Sequence, residues 1–141
     1  MRLLSGNKQV ALAAGSGEIA IGLTDTDDAM GELDAGSPVS IIYPDREPSG
    51  LGTLFIPNTL ALIKGSPHQK EAQALADHLL SPEIESALTR GPSAQIPLLK
   101  STNVEARVET PKTVHAMEVD FESAAKLWDK AAAFLVSEFG G

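Results

Sequence analysis

Apolar positions along the chain fall into short runs separated by turn residues, alternating with stripes at helical spacing. Residues 7–14, NKQVALAA, predict a short helix that Gly15-Ser16-Gly17 stops. Residues 19–23 form an apolar run of strand length between turn signals. A second helix is expected over 25–34, closed by Gly36. Residues 38–43, PVSIIY, predict a second buried strand. Helix-strand-helix-strand order implies a parallel sheet with helices on its faces.

Residues 44–52, PDREPSGLG, are a turn-rich connection. Residues 53–64, TLFIPNTLALIK, predict a long extended segment, with Pro57 marking an edge, a bulge or a crossing. A helix follows over 68–80, with Ala72, Leu75, Ala76 and Leu79 on one face. Ser81 then caps a shorter helix with Pro82 in its first turn, and Gly91 and Pro92 end it. A last helix is expected over 120–138. Its stripe of Phe121, Ala124, Ala125, Trp128, Ala132, Leu135 and Phe139 is read as a core face.

Composition narrows the function. The 141 residues are 43% hydrophobic and 21% charged, an ordinary globular balance. The net charge of −8, with no basic stripe, argues against nucleic acid, whose phosphates need clustered Lys and Arg. With no cysteine, disulfides and thiolate metal sites are excluded. The N-terminal MRLLSGNKQV lacks the apolar core of a signal peptide. His68, His78 and His115 lack ligand spacing and are read as solvated.

One stretch concentrates chemistry. In GLTDTDDAM, Asp25, Asp27 and Asp28 crowd the start of the second helix, directly after an apolar run. Acids near a helix N-terminus gain about 0.3–1 kcal/mol each from its partial positive charge, which accounts for one or two of them. Three at the end of a parallel strand stand where open α/β sheets place ligands. A calcium loop of the helix-loop-helix type fails, because Met30 and Gly36 occupy its sixth and twelfth positions. An alternative is a phosphatase of the haloacid dehalogenase type, with Asp25 as nucleophile and Asp27 as acid/base. Lys64 could follow a strand there, but no later acidic pair does.

The ordered series NKQVALAAGSGEIAIGLTDTDDA, PVSIIYPD, GTLFIPNTLALIKGSPHQKEAQALADHLLSPE and SAQIPLL covers nearly the whole chain. It resembles the C-terminal part of bacterial ferric-ion-binding proteins, the solute receptors of ATP-binding-cassette (ABC) importers. The resemblance implies an α/β fold of the type II periplasmic-binding-protein class. The chain would be a C-terminal fragment holding parts of two lobes. Residues 1–43 would belong to the second lobe, 44–60 to the hinge crossing and 61–141 to the first lobe.

The implied function is non-enzymatic capture of iron(III), or another hard cation, in an interlobe cleft outside the cytoplasm. An importer permease would be the partner. In the family a tyrosine pair binds the metal, and those positions fall on Asp27 and Asp28, with Asp25 and Asn7 at anion-contacting positions. Asn7, Asp25, Asp27 and Asp28 are therefore the expected ligand residues, and Asp27 and Asp28 the expected metal ligands. Phenolates have become carboxylates, and three acids repel the anion that family members bind. Carboxylates suit hard cations. An organic solute bearing an amine, or a phosphonate-like one, is the alternative guest. The surface that the missing lobe would cover is a candidate homodimer face.

Overall fold

A computed structural model describes residues 2–139. The first pair of helices, α1 (Asn7–Gly15) and α2 (Thr26–Asp34), packs together. Gly17 and Gly36, both at positive φ, follow their C-termini as the sequence predicts. Between the helices, residues 19–23 cross over α1. The crossing is close at Gly22, where a Cβ would lie 2.5 Å from Val10 Cγ1. The pair is locked by Glu32, a buried carboxylate of α2. Ser37 Oγ donates to it at 2.9 Å and Lys8 Nζ lies 3.8 Å away. Its Oε2 fills the space a Cβ on Gly15 would need, at 2.2 Å.

The second pair is α3 (Gln69–Leu79) and α4 (Pro82–Arg90). Ser81 caps α4 by accepting from the Ile84 amide, with Pro82 opening the helix. Glu85, in its first turn, reaches past the helix. It accepts from the Leu98 amide at 2.7 Å, the Leu99 amide at 3.1 Å and the Thr102 hydroxyl. Burial raises this carboxyl, but the three donors outweigh it and hold it below its ordinary value. The connection after α4 is thereby clamped to its start.

The third pair, α5 (Phe121–Lys126) and α6 (Trp128–Phe139), carries no buried residue. Asp120 caps α5 by accepting from the Glu122 and Ser123 amides, both at 3.1 Å. Among the described residues, no helix of one pair packs on a helix of another. The ties between pairs are polar. Arg107 reaches Asp34 at the end of α2 at 2.5 Å, and the Gly91 carbonyl at the end of α4 at 3.1 Å. Arg46 meets Glu109 at 3.0 Å. The Thr53 amide donates to the His115 carbonyl, and the Met117 amide to the Thr53 carbonyl.

The expected α/β fold is not formed. The described chain is helical over 41% of its length and holds no sheet. Its strand character is one isolated parallel bridge, Thr53 to Ala116. Residues 19–23, 38–43 and 54–63, whose apolar runs predict strands, form none: no neighbour pairs with them, and Ala20 and Pro38 are bends. Their apolar side chains are covered only in part: Ile21 is 87% exposed, Ile42 79% and Ile63 79%, while Ile19, Val39, Ile41, Tyr43 and Phe55 are half-buried. A type II periplasmic-binding-protein architecture needs sheets that these segments do not build here. The expected terminal helix also differs. It breaks at Leu127 into α5 and α6, and its stripe faces solvent, with Trp128 73% exposed.

Two measurements check these contacts. Gly52 has φ +92° and its Cβ would lie 2.4 Å from the Met117 amide nitrogen. Gly52→Ala should remove the 53–116 bridge, costing about 1 kcal/mol or more, with loss of hydrogen-exchange protection at Thr53. Glu85 titrates below its ordinary range when folded, so its contribution is present at neutral pH and lost as pH falls through the folded value. Glu85→Gln should cost about 1 kcal/mol at neutral pH, with the gap to wild type closing on acidification.

Candidate functional site

The first turns of α1 and α2 lie side by side, which gathers all four residues singled out by the sequence. Asn7 opens α1, Asp25 precedes α2, and Asp27 and Asp28 stand in the first turn of α2. Asn7 Nδ2 donates to Asp25 Oδ2. Thr24 Oγ1 donates to the Asn7 carbonyl at 3.0 Å, fixing the approach of the chain into α2. Asp25 sits at the N-cap position in extended conformation, but its side chain makes no capping bond to the helix. Its carboxylate is turned toward Asn7 and its fellow acids instead.

Each acid can offer one oxygen such that all three lie within 4.8 Å of one another, a span that could hold a metal ion. Asp25 and Asp27 are exposed and Asp28 is half-buried. Burial first, then the hydrogen bond and charge of Asp25, push the Asp27 carboxyl above its ordinary value, against the amides of Asp27 and Asp28. Burial and then the Asp25 charge push Asp28 up as well, with Lys8 opposing. Loss of water and repulsion among the acids thus exceed the backbone donors and the Lys8 charge that oppose them. The cluster is charge-frustrated, and an added cation would relieve it.

Lys8 was not singled out by the sequence reading. It stands next to Asn7, in the first turn of the helix that faces the acids. Its charge reaches both Asp28 and Glu32. The adjacency of Asn7 and Lys8 was visible; the packing of α1 on α2 that makes it matter was not.

The two clefts described on the surface lie elsewhere. One, of about 490 Å³, is lined by Gly50, Leu51 and residues 115–118. The other, of about 420 Å³, lies between Met30, Leu33, Tyr43 and residues 106–109. The carboxylates of 25, 27 and 28 border neither. The expected delivery of these acids at the end of a paired strand is corrected: the segment that leads into them is unpaired. His68, His78 and His115 are exposed. No helix among the described residues is long and apolar enough to cross a membrane. No family model, curated protein or solved structure matches the chain.

The raised carboxyls set a sign. A group that holds its proton more tightly folded than unfolded lends stability while protonated, and loses it as pH rises through the folded value. Asp28→Asn should therefore raise the melting temperature at neutral pH. The gain over wild type should shrink toward zero as the pH drops below the ordinary carboxylate range, as read by thermal denaturation across a pH series.

Proposed function

We propose that the chain is the solute-binding component of an ABC importer and takes a hard cation, iron(III) first, at Asp25, Asp27 and Asp28. The reading is non-enzymatic, and it places the protein outside the cytoplasm with a permease as partner. The observation that carries the cation part is the meeting of three carboxylates within 4.8 Å, with Asn7 bonded to one of them. The importer part rests on the ordered sequence resemblance.

The chemistry is that of oxygen donors on a hard ion. Asn7 orients Asp25, and the start of α2 holds the next two acids on one side. Bringing a cation among them replaces repulsion by attraction. With one oxygen from each acid, three side chains supply fewer than the six to eight a calcium-sized ion takes, so water completes the shell. For calcium, an open site of that kind binds with a dissociation constant on the order of 10⁻⁴–10⁻³ M.

Calorimetric titration with calcium, manganese and ferric nitrilotriacetate, against wild type and the Asp27→Ala/Asp28→Ala double variant, tests this. Binding by wild type, in that range for calcium and lost in the variant for every ion, is expected. Identical heats from both proteins would reduce the acids to helix-end charges. A parallel titration with a primary diamine reads the alternative guest, an amine-bearing solute.

A further inference from the structure

We propose that the Leu60–Ala61 bond is a proteolytic processing site, cut in the folded chain by an endopeptidase with an apolar specificity pocket. Such an enzyme draws its substrate out as an added strand. It therefore needs accessible, unbonded backbone on both sides of the bond it cuts. Residues 54–62 have no regular structure, and their N–H and C=O groups bond to no other backbone group. Among the described residues this is the longest such run. The next, 103–108, holds no apolar residue larger than valine. Trp128 and Phe134 are more exposed than Leu60, but the hydrogen bonds of α6 hold their backbone. Leu98 is 75% exposed, but its amide is held by Glu85.

Within the run, elimination leaves one bond. Leu54 and Phe55 directly follow Gly52 and Thr53, which are buried and fixed in the 53–116 bridge. The bonds on either side of Pro57 carry a ring that removes a donor and fixes φ. The bond after Leu62 runs into the turn at 64–65, where the Ile63 carbonyl accepts from the Ser66 amide. Around Leu60–Ala61 every residue from Pro57 to Ile63 is exposed. One side-chain tie crosses this stretch, Asn58 Nδ2 donating to Gln95 Oε1 at 2.8 Å, and it leaves the backbone free. Water adds across the peptide bond, giving a carboxylate on Leu60 and an ammonium on Ala61. The cut separates the helix pair that carries Asn7 and the three acids from the other two pairs in the chain. The ties through Thr53, Arg46 and Arg107 then hold the pieces together.

Limited digestion with chymotrypsin, read by intact mass and compared with a free peptide of residues 52–66, tests the proposal. The first internal cut should fall after Leu60, at a rate within about a hundredfold of the peptide's, because the segment is already open. Cleavage that waits for the chain to unfold would run about 10³-fold slower than the peptide or worse. Leu60→Asp should slow the cut by at least about tenfold. Ala61→Pro should abolish it, and it removes no hydrogen bond, because the Ala61 amide makes none. Both variants should keep the helical circular dichroism of wild type. A first internal cut elsewhere, a rate more than about a hundredfold below the peptide's, or a cut indifferent to both substitutions overturns the proposal.

Discussion

Extended backbone must hand its N–H and C=O groups to some partner, and in this chain most of that partner is water. Residues 20–23, 40–43 and 54–62 make no backbone–backbone hydrogen bond among the described residues. Because nothing pairs with them, they cannot bring helices onto a common sheet. Three helix pairs result, each packed internally, and the apolar side chains meant for a shared core remain at the surface. The buried apolar set is small: Ala11, Ala13, Met30, Ala76, Ala94 and Val114. Four of the six are alanines, which withdraw little area from water.

Polar contacts therefore carry an unusual share of the tertiary structure. Glu32 is held by Ser37 and Lys8 beneath a glycine that leaves it room. Arg107 touches the ends of two helices from different pairs. Glu85 gathers two amides and a hydroxyl across a loop. Exposed ion pairs add little on their own. Carboxylates that collect several backbone donors add more. The Asp25–Asp27–Asp28 cluster is the opposite case, with acids gathered and only Asn7 and a neighbouring lysine to balance them.

The helices were legible because their signals are local. Ser81-Pro82 at the start of α4 and Gly36 after α2 act within a turn of the residues they control. Asn7 and Asp25 were expected from resemblance to touch a bound solute; that they bond to each other follows from α1 packing on α2, which the sequence did not show. The sheet was misread because an apolar run states only what a segment would bury, and pairing depends on a neighbour that the run does not specify. PVSIIY and TLFIPNTLALI have strand composition without a strand's partners. The terminal stripe failed for the same reason: Phe121, Trp128 and Leu135 share helical spacing, but nothing in the described chain receives them. Glu85 was read only as a first-turn acid of α4, and Arg107 not at all, because their partners lie far off in sequence or in loops without pattern.

The freedom of residues 54–63 from charge has a kinetic consequence. Natural extended segments guard their edges with lysine, glutamate or proline, and here Pro57 alone performs that duty. On heating, molecules that open add further apolar surface to a ribbon that is already bare and unguarded, and find one another faster than they refold. Denaturation then becomes a one-way passage, timed by scan rate and concentration, and the half-life at a given temperature describes the endurance of this protein better than a midpoint does.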